Sequence, residues 1–467
     1  MTSPDPQVFS DYLDRTRWFG GKGRPYAVID VRTLGVLPGG PPLVVIHLVE
    51  VSYSDAEGGG ELYQVPLSFY EHPQGRLDHA FVGWWDDAEH GWVHAYDALH
   101  DRDAMALWQR AFAAAAGDRA LDVGGLRFHR LPGHELDLEA HSTLFSGEQS
   151  NSSVAYGDDA LMKVFRKVTP GINPDIAVHE VLTRAGSGHV AALFGWVEAP
   201  LGGDRDDVLQ LGMLQQFLRT ASDGWDLALA SVRALFADLE IHASESGGDF
   251  AGEATRLGEA LREVHAALRE HFPTEERPPS AAAELAATMT GRLDAALAVV
   301  PELEEHAKGL RVTFDEVAHL NGLAVQQVHG DLHLGQTLRT SVGWKIVDFE
   351  GEPAKPLAER QLADSPWRDV AGMLRSFDYA ARVVERSLSI SDEADAELVD
   401  TRAEEWSERN KFHFLVAYAD GALTPEQQVL LNAYVADKAV YETVYETRNR
   451  PSWVAIPLQA VARIGAA

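Results

Sequence analysis

The sequence predicts an α+β chain in three parts: a β-rich beginning, a mixed strand-and-helix middle and a long helical end. Three observations carry that reading. Residues 9–92 alternate apolar and polar positions between Gly/Pro/Asp punctuation. Residues 226–312 repeat apolar positions at three- and four-residue spacing. A polar loop at 325–350 is set between short apolar segments of strand character. At 467 residues the chain is too long for one simple core, so two or three packed units are expected.

In order, residues 27–31, 43–51 and 61–67 read as strands, separated by Pro38-Gly39-Gly40-Pro41-Pro42 and Glu57-Gly58-Gly59-Gly60. They define a β-rich N-terminal cap, placed at residues 1–95. An Ala-rich helical segment follows at 96–117, and strand character returns from Leu126 to Arg166. A helix begins near Pro174, and residues 209–217 give another strand. This intermediate part is placed at 96–218. From 219 to 467 the pattern is mainly helical, with a Pro-rich break at 273–279 and the polar loop as its interruption. No internal repeat or low-complexity tract appears.

Composition narrows the function classes. Hydrophobic content of 45% with 24% charged residues is ordinary for a soluble enzyme. The net charge of −31 repels phosphate polymers and anionic membranes, which argues against nucleic acid or a membrane as partner. An anionic ligand then needs a local island of cations. The absence of cysteine excludes a disulfide framework, a zinc–thiolate site and a thiol nucleophile. Residues 1–14 are acidic without an apolar stretch, unlike a secretory signal, and no apolar run approaches the roughly 20 residues that span a bilayer. A cytoplasmic location is expected.

The loop carries the chemistry. In Val328-His329-Gly330-Asp331-Leu332-His333-Leu334-Gly335-Gln336 and Ile346-Val347-Asp348-Phe349-Glu350, a carboxylate is followed by an amide oxygen and, past a strand, a second carboxylate. Phosphoryl transfer from ATP needs such a set, with one Asp to orient and deprotonate a hydroxyl and two oxygen ligands to hold Mg²⁺. The spacing Asp-x-x-x-x-Asn, strand, Asp belongs to the bilobal protein-kinase-like fold, here with Gln336 in the Asn position. Asp331 is therefore the candidate base, and Gln336 and Asp348 are the candidate metal ligands. Taken alone, Asp331 also reads as a turn residue.

Upstream, Lys163 in an apolar strand reads as the lysine that contacts nucleotide phosphates, with Glu180 of the next helix as its partner. A solvent-facing edge lysine fits the same pattern. Ser150, Asn151 and Ser152 lie where a phosphate loop is expected, and Gln215 and Phe217 lie where an interlobe linker would read adenine. His329 and His333 have no third nitrogen ligand nearby, so a hydrogen-bonding or substrate role is favoured over zinc. Glu350, Tyr441, Glu442 and Arg450 complete the acceptor-side candidates. Lys438, Glu442, Glu446 and Arg450 recur every four residues, which equally describes a surface salt-bridge ladder. Asp369 and Arg375 are spaced on a helix as braces of the catalytic loop rather than substrate contacts.

At these residues the chain resembles bacterial maltokinases, relatives of the aminoglycoside phosphotransferase-like kinases. The resemblance is carried by Arg17-Trp18-Phe19-Gly20-Gly21-Lys22-Gly23-Arg24, Gly147-Glu148-Gln149-Ser150-Asn151-Ser152-Ser153 and Ser222-Asp223-Gly224-Trp225. It continues through the loop, Asp348-Phe349-Glu350-Gly351-Glu352-Pro353, Asp369 to Tyr379, and Arg448-Asn449-Arg450-Pro451-Ser452-Trp453. It implies ATP-dependent phosphorylation of the anomeric hydroxyl of maltose to maltose 1-phosphate, a donor for α-glucan and glycogen synthesis. It also implies a kinase-like fold with an added cap, and association with trehalose synthase. Glucosamine kinases resemble the same group and share its catalytic residues, so a glucosamine or aminoglycoside acceptor is the alternative. A non-catalytic kinase-like scaffold is a third, against which Lys163, Asp331 and Asp348 all speak.

Overall fold

A computed structural model describes residues 5–56, 58–115, 120–145, 151–201, 207–352, 355–388 and 392–466. The chain divides into two compact units, Met1–Glu180 with Ala191–Arg219, and Val181–Val190 with Thr220–Ala467. The first unit thus contains both the residues read as a cap and most of those read as the intermediate part. The α+β class with a β-rich N-terminal region and a helical C-terminal part is what the sequence predicts.

The first unit opens with α1 (Pro6–Arg15), followed by β1 (Tyr26–Val36), β2 (Leu43–Tyr53), β3 (Gly60–Tyr70), β4 (Phe81–Asp87) and β5 (Gly91–Asp97). These strands form an antiparallel sheet in the order β1-β2-β3-β5-β4. Asp101 caps α2 (Arg102–Ala114) by accepting the Asp103 N–H. A second sheet has the order β6-β7-β12-β13-β10-β9-β8, where β6 is Leu121–Val123, β7 Leu126–Arg130, β8 Ser142–Leu144, β9 Asn151–Tyr156 and β10 Ala160–Phe165. Its remaining strands are β12 (Leu193–Pro200) and β13 (Val208–Gln216). Between them in sequence are β11 (Lys167–Val168) and α3 (Pro174–Arg184).

The unbroken apolar run of β2 has a physical cause. Val45 and Val49 pack with Phe9, Leu13 and Trp18 of the N-terminal segment. Val44, Ile46 and Leu48 point to the opposite face and join Trp108 and Phe112 of α2 with Met162 and Met213 of the second sheet. A strand covered on both faces loses the polar alternation that marks a half-exposed one. The two-residue β11 pairs with β3, Lys167 opposite Tyr63 and Val168 opposite Leu62, and fastens the second sheet's chain to the first sheet.

The second unit runs β14 (Ser222–Asp223), α4 (Gly224–Phe236), α5 (Ala251–His271), β15 (Glu275–Arg277), α6 (Pro279–Leu297), α7 (Ala307–Ala318) and β16 (Leu323–Val325). After the loop come β17 (Thr337–Thr340), β18 (Gly343–Ile346), α8 (Leu357–Arg360), α9 (Trp367–Ser387), α10 (Glu393–Ala419), α11 (Pro425–Asn449) and α12 (Ala455–Ala466). The Pro-rich break holds the short β15, which pairs with β16. Asp223 caps α4, and Thr424 with Gln427 forms a capping box on α11. Phe250, Phe377, Trp406 and Phe414 make an aromatic core among α5, α9 and α10, with Phe377–Trp406 centroids 6.2 Å apart. Among the described residues, no helix is long and apolar enough to cross a membrane.

Candidate active site

The polar loop of the second unit is held from beneath by one carboxylate. Asp369, in the first turn of α9 and 1% exposed, accepts the N–H of His329 at 2.7 Å and that of Gly330 at 2.8 Å. Its Oδ2 also accepts from His265 Nε2 at 3.0 Å, and His265 Nδ1 is 2.8 Å from the Tyr418 hydroxyl. Burial pushes the Asp369 carboxyl up, but the hydrogen bond and charge of His265 and the Gly330 amide outweigh it and hold the carboxyl below its ordinary value. Helix α9 comes this close to the loop because residue 372 is glycine: a Cβ there would meet the Leu332 carbonyl oxygen at 2.4 Å.

His329 acts as a second fastener. Its Nε2–H donates to the Val347 carbonyl at 2.9 Å, and its Nδ1 accepts the Asp331 N–H at 3.3 Å, which ties the loop to the segment after β18. Asp348, at the end of that segment, has φ 67°, a left-handed conformation that costs a non-glycine residue on the order of 1–3 kcal/mol. Its Oδ2 lies 3.2 Å from Gln336 Nε2. The loop therefore brings Gln336 and Asp348 together. In this contact the amide N–H donates to the carboxylate; with the amide turned so that its oxygen faces the same side, the pair supplies the hard oxygen donors that Mg²⁺ takes, so the residues fit that ion. His333 Nδ1 accepts the Gly335 N–H, and burial lowers its pKa against the upward pull of Asp331 and Asp348. The backbone carbonyl of half-buried Glu350 accepts from Arg360.

Asp331 forms part of the wall of a cavity of about 340 Å³ that it shares with Glu352, Asp364, Arg368, Lys438 and Tyr441. Lys438 of α11 reaches Asp331 Oδ1 at 3.4 Å. The other carboxylates here already have cations: Arg368 lies 3.2 Å from Glu352 and 3.0 Å from Asp364, Lys355 lies 3.0 Å from Glu352, and Arg292 lies 2.6 Å from Asp437. The Tyr434 hydroxyl donates to Asp364 at 2.6 Å. Tyr441 and Tyr445 stack along α11 with centroids 6.3 Å apart, 39% and 43% exposed.

The four-residue series on α11 does not act as one ladder. Lys438 turns to Asp331, while Glu442 is buried and takes Arg375 Nε and Nη2 at 3.0 and 2.8 Å. Glu446 and Arg450 pair with each other at 2.6 Å, with the Arg450 guanidinium 4.4 Å from the Trp453 ring centre. Burial raises the Glu442 carboxyl above its ordinary value in spite of Arg375 and Lys438. Arg375 also holds Asp378 at 2.8 Å, so it locks α9 to α11 and leaves the bracing of the loop to Asp369.

In the first unit, Lys163 of β10 lies 2.9 Å from Asp175 Oδ2, in the first turn of α3. Burial raises the Asp175 carboxyl, and the charges of Lys163 and His179 outweigh that and hold it well below the carboxylate range. Glu180 is half-buried five residues further along the same helix. Asn151 and Ser152 begin β9, with the Ser152 hydroxyl accepting from Arg166 Nε at 2.8 Å; Ser150 lies outside the described residues. Gln215 is the penultimate residue of strand β13, and the Phe217 N–H donates to the Asp159 carbonyl at 2.9 Å.

Comparison with known proteins gives this geometry its context. The family model of the maltokinase N-terminal cap domain matches residues 12–101. A glucosamine kinase of Streptacidiphilus jiangxiensis is 30% identical over 324 residues, covering 66% of this chain and 70% of that protein. The chain belongs to the maltokinase-type kinase family. A second relative, a glucosamine kinase of Mycolicibacterium smegmatis (strain ATCC 700084 / mc(2)155), is 26% identical over 327 residues, 66% of this chain and 76% of that protein. The fold extends over the whole chain. A solved glucosamine kinase in complex with glucosamine, ADP and inorganic phosphate has a TM-score of 0.69 at 22% identity, covering 99% of this chain and 100% of that one. Another crystal form reaches 0.71 at 21% identity, with full coverage of both chains.

Within this maltokinase-type kinase, two charged residues that pair with sequence-predicted site residues carry no motif of their own. Asp175 follows Asn173-Pro174 at a helix start, where an acidic residue is ordinary capping chemistry. Lys438 is hidden in the charge series of α11. Asp175 meets Lys163 across a strand-to-helix connection of 12 positions and Lys438 meets Asp331 across 107, so the fold rather than a local motif makes each pair.

Proposed function

We propose that the protein is an ATP- and Mg²⁺-dependent sugar kinase that phosphorylates the anomeric hydroxyl of maltose, giving maltose 1-phosphate for α-glucan and glycogen synthesis. The observation that carries the reading is Asp331 in the wall of a polar cavity, its preceding amides pinned by Asp369 and its loop leading to the Gln336–Asp348 pair. Asp331 accepts the acceptor hydroxyl's proton and aims its oxygen at the transferred phosphoryl group. Gln336 and Asp348 hold Mg²⁺, which supplies charge neutralisation on the phosphate oxygens. Lys163, oriented by Asp175, contacts nucleotide phosphates.

The paired state of the cavity's carboxylates supports a neutral sugar. An ammonium-bearing acceptor needs a carboxylate whose charge is not already matched, and here Glu352, Asp364 and Asp437 each have a cation, with Lys438 beside Asp331. The Tyr441–Tyr445 pair offers a flat apolar surface for a sugar ring. The second reading, glucosamine as acceptor, is supported by the names of both sequence relatives. A cytoplasmic location and association with trehalose synthase as the source of maltose belong to the same proposal, by the resemblance to maltokinases.

A coupled ADP-release assay with maltose, glucose and glucosamine, with Asp331→Ala as control, separates the readings. Maltose is expected to give the highest kcat/KM. A preference for glucosamine selects the second reading, and no sugar-dependent ADP release from the active protein removes both.

A further inference from the structure

The first unit holds another polar cavity, of about 470 Å³, whose lining includes Arg15, Arg17, His79, Asp97, His100 and Arg166. Five basic side chains around one carboxylate run against the composition of a chain with net charge −31. That carboxylate is already engaged: Asp97 Oδ2 accepts from Arg166 Nη2 at 2.7 Å and from the Tyr12 hydroxyl at 2.5 Å, and Oδ1 accepts the Leu99 N–H. Arg15 donates to the carbonyls of Asp11 and Phe81. Arg17 is exposed and makes no ion pair among the described residues.

Arg166 is the informative member. It is 1% exposed, its Nε is on Ser152, its Nη2 is on Asp97, and its guanidinium lies 4.7 Å from the Trp18 ring centre. Its third nitrogen, Nη1, is buried without a hydrogen-bond partner among the described residues. A buried charged donor left without an acceptor is rare and calls for a missing one. The cavity is distinct from the Lys163 position. In the β9–β10 pairing Lys163 faces Ser153 and Val164 faces Ser152, and side chains alternate along a strand, so Ser152 and Arg166 lie on the sheet face opposite Lys163.

We propose that this cavity is an anion site that takes a phosphate group, free or on a phosphomonoester, with Arg166 Nη1 and Arg17 as donors. Guanidinium forks match phosphate oxygens in geometry and charge, and several guanidiniums with two imidazoles suit a dianion better than a single carboxylate. The site stands independently of which sugar the enzyme phosphorylates.

The test is calorimetric titration of the full-length protein with inorganic phosphate and with glucose 1-phosphate, at constant ionic strength set by chloride. Saturable binding is expected, weakened about tenfold or more in Arg17→Ala, as loss of one charge-assisted contact implies, and unchanged in Asp348→Ala. Tighter binding of glucose 1-phosphate identifies a phosphorylated sugar as the occupant, and equal binding identifies free phosphate; both support the site. Absence of saturable binding, insensitivity to Arg17→Ala, or loss in Asp348→Ala overturns it. Arg17 is exposed, so its removal leaves the fold intact and each result readable.

Discussion

Replacing Asp369 by Asn removes one charge at the point where the polar loop before Asp331 is anchored. The native carboxylate receives three hydrogen bonds, from His329 N–H, Gly330 N–H and His265, at 2.7, 2.8 and 3.0 Å. Asn keeps one acceptor oxygen, and its NH₂ must face either Gly330 N–H or the His329 and His265 donors. At least one buried donor then loses its partner, and the bonds that remain lose their charge assistance. With hydrogen bonds to charged groups at about 1.5–3 kcal/mol, the loss is on the order of 2–4 kcal/mol. It is read as a lower urea midpoint for the transition of the second unit. Because the two pinned amides immediately precede Asp331, the loop also loses its register, and a misplacement near 1 Å costs roughly 100-fold in rate. The expected kinetic result in ADP release is a fall in kcat with a smaller change in KM for the sugar. The pH dependence has a definite sign. A carboxyl whose folded pKa is depressed contributes stability above its unfolded pKa and loses it as pH falls through the folded value, so the Asn variant should lose part of the acid sensitivity below the ordinary carboxylate range. A variant with an unchanged urea midpoint and kcat within twofold of the parent would falsify the anchoring role.

Two further outcomes follow from the same geometry. Asp331→Asn should cut sugar phosphorylation by about 10²- to 10⁴-fold while Mg²⁺–nucleotide still raises the melting temperature; retained activity sinks its role as base. Lys163→Met removes the ammonium that lies 2.9 Å from the buried Asp175 carboxylate, so it should destabilise the first unit by about 3–5 kcal/mol, with much of the loss recovered when Asp175→Asn is added. A double-mutant cycle in thermal unfolding checks this, and strict additivity would show that the two residues do not interact.

Much of the fold was legible because burial leaves a direct trace in sequence. The strands read at 43–51 and 61–67 lie within β2 and β3, whose buried faces impose apolar residues. The helix read at 96–117 is shorter in fact, since Asp101 caps it and residues 98–100 form a 3-10 turn. β11 left no trace, being two residues long and defined wholly by its partner β3. Glu442 and Lys438 show the limit more sharply. As neighbours on a helix they look alike, two charges in a polar series, yet one is sealed against Arg375 from α9 and the other reaches Asp331 across 107 positions of sequence. Period-four charge spacing describes a helix face and is blind to what packs against that face.

The polar loop was legible for a different reason. Gln336 and Asp348 are close in sequence and joined by the short strands β17 and β18, so their spacing nearly determines that these two side chains can meet. What spacing does not encode is the conformation that makes them meet. Asp348 has to adopt φ 67°, which most L residues resist; Asp tolerates it better than most, but an Asp after a strand does not by itself announce it. That strain persists only if surrounding contacts over-determine it. They do so here from both sides: the Val347 carbonyl accepts from His329, the Val347 N–H donates to the Gln336 carbonyl, and Asp369 fixes the amides of His329 and Gly330. The buried groups around the loop thus hold the backbone on both sides of the strained residue.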